Sequence, residues 1–261
     1  MEYWQKQDAK PLFEEIVWNK PEQKTLAGKL AIVGGNKLSF AAVARSFAFA
    51  ESFGAGQVKA LVPDALKPVL PHSAGIVFAP SNHSGGLGRE AKSTLNAVNE
   101  WANVTVLIGD LSKNSETAVL IENFVAHQSG RLIITRDAVD LLATNANSML
   151  ERDGTVLIAT FAQLQKLFRN AYYNKVLTFS MTLSNLVETL HKFTITYPVT
   201  VATVHDGQSV VAHGGQVTTT PLSSTMYSPL TIWSGEAAVK AALYFLWNPN
   251  KPLQAVTTSL I

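Results

Sequence analysis

The sequence predicts an α/β fold, a doubly wound and mostly parallel sheet with helices on both faces, formed by residues 1–261 as one domain. Three observations carry this expectation. Short apolar runs recur along the chain, helix-length segments fill most of the gaps between them, and the first such run stops at glycines just before a helix. The 261 residues suit one large α/β domain, and no internal repeat or low-complexity linker marks a boundary.

Residues 1–27 read as a helical and loop lead-in. Residues 29–33 form an apolar strand that runs into Gly34-Gly35-Asn36. Residues 40–53 are alanine-rich and fit a helix buried on most sides, with Gly54-Ala55-Gly56 as its C-cap. A strand at 58–62 ends at Pro63-Asp64. Further strands are expected at 75–79, 104–108, 132–135 and 155–159, and helices at 90–101, 116–127, 137–142 and 161–170. After Val199 the pattern changes. The β-branched runs 199–204, 209–212 and 216–220 are separated by Asp206-Gly207 and Gly214-Gly215, which predicts antiparallel strands joined by tight turns. An alanine-rich helix at 236–246 follows a loop.

Composition narrows the function classes. Net charge is +2 and the lysines are scattered, so neither a nucleic acid nor an acidic membrane is expected as partner. There is no cysteine, which excludes disulfides, thiolate catalysis and cysteine-bound zinc. The six histidines form no His-x-x-x-His pair and no acidic cluster accompanies them, so no metal site is expected. The first residues lack a basic segment followed by an apolar one, and no apolar run reaches membrane length; a cytoplasmic protein is expected. Charged residues make up 15% of the chain against 47% hydrophobic, which predicts extra burial in a large core or in a homo-oligomer interface.

Four motifs bear on chemistry. Gly34-Gly35-Asn36, after a strand and before a helix, reads either as a cradle for an anion or as a tight turn. Ser84-Gly85-Gly86-Leu87-Gly88 lacks the spacing of a dinucleotide fingerprint and reads as a mobile surface loop, with a lid as the alternative. His205-Asp206 reads as turn chemistry, or as a base and its orienter. Ser234-Gly235-Glu236 opens the last helix. It is either a cap with a charge favouring the helix dipole, or an anion site with an adjacent general base.

In this order the pieces resemble the ADP/ATP-dependent NAD(P)H-hydrate dehydratases of the ribokinase-like superfamily. Lys24, Gly28, Gly34-Gly35-Asn36 and Gly54-Ala55-Gly56-Gln57-Val58 follow the family's first third, and its Gly-Ala pair falls on Ala41-Ala42. The resemblance implies a ribokinase-like fold, ATP or ADP with Mg as cofactor, and a nucleotide or NAD(P)H-hydrate as partner. It also implies a homo-oligomer, with a tetramer favoured. Carried over position by position, it places the catalytic base at Glu236, phosphate contacts at Ser234, Gly235 and Thr203, and substrate contacts at Gly35, Asn36, Ala41 and Asp137. Several motifs depart. The family's Gly-Pro-Gly-Leu-Gly becomes Gly109-Asp110-Leu111-Ser112-Lys113. Its Thr-Pro-His-Pro-Gly-Glu becomes Ile158 to Gln163. Glu236 stands where an aspartate is expected. The implied activity is therefore a reduced or lost dehydration. The alternatives are a catalytically silent nucleotide- or metabolite-binding module of the same fold, or a small-molecule kinase.

Overall fold

The computed structural model describes residues 2–71, 73–222 and 235–260. Its strands are β1 (Trp4–Lys6), β2 (Lys29–Gly34), β3 (Gln57–Pro63), β4 (Ile76–Ala79), β5 (Val104–Gly109), β6 (Arg131–Thr135), β7 (Thr155–Ile158), β8 (Thr200–His205), β9 (Gln208–His213) and β10 (Gln216–Pro221). They form one sheet in the order β1-β10-β9-β8-β7-β6-β5-β2-β3-β4. Every pairing is parallel except those of β9 with β8 and β10. This is the expected parallel sheet with a late antiparallel section, whose turns fall at Asp206-Gly207 and Gly214-Gly215.

The helices are α1 (Glu14–Trp18), α2 (Ala41–Phe53), α3 (Lys92–Trp101), α4 (Ser115–His127), α5 (Asp137–Leu142), α6 (Asn147–Leu150), α7 (Phe161–Asn170), α8 (Leu183–Thr196), α9 (Glu236–Trp247) and α10 (Pro252–Ser259). They cover both faces. Helices α1, α2, α9 and α10 share a core with Leu30, Ile32, Val106 and Ile108. Helices α3 to α8 share the other core with Ala31, Val33, Leu107 and Ile134. Because side chains alternate along a strand, central strands covered on both faces must be apolar at consecutive positions. All six residues of β5 are buried.

Four elements lie outside the sequence expectation, the short helix α6 among them. Strand β1 sits within the lead-in and pairs in parallel with β10. Helix α8 fills the unassigned stretch before β8, and α10 closes the described chain. The Ser84–Gly88 segment also differs from a mobile loop. Residues 85–88 are buried, and Asn82 Oδ1 accepts the Ser84 and Gly86 N–H groups at 3.0 and 3.2 Å. The glycines let the chain fold tightly under α4, where Thr117 Oγ1 donates to Leu87 O at 2.8 Å.

Candidate functional site

Chain direction through the sheet splits at β2 and β5. From β2 the chain proceeds outward to β3 and β4, whereas from β5 it proceeds the other way through β6, β7 and β8. Open α/β sheets bind ligands beyond the carboxyl ends of their strands at such a point. Gly34-Gly35-Asn36 and Gly109-Asp110-Leu111 both leave the sheet there.

The structure brings Gly35, Asn36, Ala41 and Asp137 together at this crevice and gives most of them intramolecular work. The Gly35 N–H donates to Gly109 O at 3.0 Å. Asn36 Oδ1 accepts the Leu38 and Ser39 N–H groups at 2.8 and 3.2 Å, and its amide donates to Asp110 O at 2.6 Å. Ala41 opens α2. The Asp137 carboxylate accepts the N–H groups of Asp110 and Leu111, at 2.7 and 3.1 Å.

The segment that Asp137 holds is unusual. Gly109, Asp110 and Ser112 all have positive φ, at 92, 55 and 66°. For the two non-glycine residues this backbone is costly and persists only where surrounding contacts enforce it. Asp110 then projects its carboxylate to the start of α2. One oxygen lies 3.3 Å from the Ala42 N–H, and the other pairs with Arg136 Nη2 at 2.7 Å. Arg136 itself has φ 57°. Gln163 donates to Arg136 O and to Asp140 Oδ2, both at 2.7 Å, while forming a capping box with Thr160 at the start of α7. A helix N-terminus favours an anion. Here a carboxylate of the chain itself stands in that position.

The second group of candidates is at the start of α9. Ser234 lies outside the described residues. Gly235 has φ 83°, and a Cβ there would stand 2.7 Å from Ser46 Oγ and 2.8 Å from Ile108 Cδ1. Only glycine allows both this conformation and this approach. Ser46 is fully buried, and its hydroxyl has no hydrogen-bond partner among the described residues. Glu236 follows as the first helical residue and is partly buried.

Thr203 does not join this group. Val201 belongs to the α3–α8 side of the sheet and Ala202 to the α2–α9 side. Alternation places Thr203 with Val201, across the sheet from Gly235. Its hydroxyl is buried there without a partner among the described residues. His205 is committed elsewhere, with Nε2 2.8 Å from Met181 O and the ring stacked on Phe161, while Asp206 takes the positive φ of the turn.

Sequence reasoning missed Asp110, Arg136, Gln163 and Ser46 as parts of the site. One signal was available for the first two. Each directly follows a strand end, and β5 and β6 are neighbours, so an acid and a base leave adjacent strands side by side. No group of three or more potential metal ligands occurs among the described residues.

No family profile and no curated protein matches the sequence. Solved structures do match. A ribokinase-like superfamily protein from Enterococcus faecalis superposes with a TM-score of 0.72 at 18% identity, covering 98% of this chain and 85% of that one. The ADP/ATP-dependent NAD(P)H-hydrate dehydratase from Bacillus subtilis, co-crystallized with ATP/Mg2+ and soaked with CoA, gives 0.63 at 13% identity, covering 95% and 85%. A hydroxyethylthiazole kinase protein from Pyrococcus horikoshii gives 0.60 at 11% identity, covering 95% and 82%. Together with the strand order and the two helical layers, these similarities identify the architecture: the chain has the ribokinase-like fold.

Proposed function

We propose that the chain is a diverged relative of the ADP/ATP-dependent NAD(P)H-hydrate dehydratases that binds a nucleotide at the start of α9 and turns over weakly. The observation that carries this reading is Ser46, a buried hydroxyl beside Gly235 that has no partner among the described residues. A helix N-terminus offers N–H donors, the glycine admits close approach, and an orphaned hydroxyl adds a further donor for a phosphate oxygen. The site thus fits the anionic part of ATP or ADP. It supplies one carboxylate, Glu236, so Mg2+ would be held chiefly by the phosphates. The bound nucleotide would supply a phosphoryl group to activate a hydroxyl. Glu236 would take the proton, and its extra methylene relative to aspartate misplaces the base.

Three results are expected. ATP or ADP raises the melting temperature. Glu236→Gln removes any dehydration of NADPH hydrate, and Glu236→Asp keeps or raises it. Stabilisation by ATP or ADP with no turnover in the parent or in Glu236→Asp would leave the silent module, which the Asp110–Arg136 pair at α2 favours because it fills a place where substrate would bind. Release of ADP with a small-molecule acceptor would identify a kinase. No effect of either nucleotide on melting would refute the nucleotide site itself.

Self-association belongs to the same reading. Part of its motive is met within the chain, since Phe47, Phe49 and Phe53 of α2 pack against the core and Phe53 stacks on Trp247. A homo-oligomer is still expected, and light scattering that reports only monomer at micromolar concentration would refute it. No helix among the described residues is long and apolar enough to cross a membrane.

A further inference from the structure

The opposite end of the sheet carries a separate cleft of about 620 Å³. It lies where β6, β7 and β8 begin, against the corner between α9 and α10, and Arg131, Asn103, Asp153, His213, Phe245 and Asn250 line it. Its size falls within the range of small-molecule sites.

Arg131 is the exceptional group. It opens β6 and is partly buried, with its guanidinium 5.6 Å from the Phe245 ring centre. It has no ion pair and no side-chain hydrogen bond among the described residues. Burial holds its pKa below the usual arginine range, and no acid offsets that loss of solvation. The acid lining the cleft, Asp153, acts on Arg152 and on His213 rather than on Arg131. Its charge supports Arg152, whose guanidinium is spent on backbone oxygens of Gln128, Gly130 and Asp153 and on Thr155 Oγ1. A partly desolvated guanidinium with five donors and no acceptor is costly unless an acceptor arrives.

The neighbours supply further donors and little opposing charge. Asn103 Oδ1 already accepts the Lys29 N–H at 2.8 Å, so its amide nitrogen keeps its donors. Asn250 has no side-chain partner among the described residues. His213 Nδ1 lies 3.0 Å from Thr200 Oγ1, and burial lowers its pKa by more than the charge of Asp153 raises it, which keeps the ring neutral and suited to a hydrogen bond. The guanidinium stands over the Phe245 ring, and its planar fork can make two parallel bonds to a planar or tetrahedral oxyanion.

We propose that this cleft is a second ligand site, distinct from the crevice at the carboxyl ends of the strands, and that it takes a small organic anion through a carboxylate or phosphate group held by Arg131.

The test follows the His213 imidazole resonance, assigned through His213→Gln, so that binding near Gly235 is not what is read. Inorganic phosphate and malonate are titrated at fixed ionic strength against sodium chloride. A saturable shift with phosphate alone identifies a phosphate site, with malonate alone a carboxylate site, and with both a general oxyanion site. Arg131→Gln should abolish the shift and Arg131→Lys should weaken binding about tenfold, because a point charge replaces the bidentate fork. Amide spectra of both variants should match the parent and establish that the fold is kept. No shift with either anion beyond that of chloride, or an undiminished shift in Arg131→Gln, overturns the proposal.

Discussion

Gly34→Ala is expected to destabilise the protein by about 3 kcal/mol or more, with a fall in melting temperature on the order of 6–12 °C. The reason is backbone, not side chain. A Cβ on Gly34 would stand 2.3 Å from Gly109 O and 2.8 Å from Ile108 Cγ2. Gly34 pairs with Gly109 across β2 and β5, so relief requires separating the two strands at the centre of the sheet. Gly214→Ala is the control. Nothing lies within 4 Å of its added Cβ, and it suffers only the cost of a positive φ. Urea unfolding of the two variants checks this, and a Gly34→Ala loss no larger than that of Gly214→Ala would contradict it.

Asp137→Ala is expected to cost about 3–6 kcal/mol, since it removes two charge-assisted hydrogen bonds worth roughly 1.5–3 kcal/mol each. The Leu111 N–H belongs to a residue with no exposed surface, so water does not readily replace the carboxylate. Without that anchor the positive φ of Asp110 has less to enforce it, and Asp110 no longer holds its carboxylate against α2. Asp137→Asn keeps one acceptor oxygen and should lose about half as much. Urea midpoints give the energies, and amide exchange at Asp110 and Leu111 should accelerate in Asp137→Ala. Unchanged exchange there would show that the carboxylate does not support the segment.

The alternation of apolar runs with helical segments was legible because β2 and β5 to β7 are buried on both faces and so carry the signal at every residue. Helix α8 was not. Its sequence includes Thr189, Thr194 and Thr196, β-branched residues with weak helix propensity, and it forms because Leu186, Val187, Leu190 and Phe193 present one buried stripe. Strand β1 has three residues, none of them buried, and its partner is more than 200 positions away, so no local pattern announces it. The site divides similarly. The positions of Gly35, Asn36 and Asp137 followed from order along the chain. Their occupation by Asp110 and its neighbours did not, because that depends on how two parallel strand ends face one another. Thr203 was assigned by its place in a motif, whereas its face was decided by strand alternation.

The brevity of β1 has a consequence for association between chains. β10 is six residues long, with four buried, and three of the six are threonine. Left bare, its outer N–H and C=O groups would be a template for pairing with another chain. β1 covers it, and Gln7 continues the cover. The Gln7 N–H donates to Thr219 O at 2.8 Å, and its amide reaches Thr220 Oγ1 and Thr257 O at 3.1 and 3.0 Å. A short strand carrying Lys6 is itself a poor template. Proteolytic clipping within residues 4–7 would therefore uncover β10 and convert a protected rim into an aggregation-prone one, even though both clefts lie elsewhere.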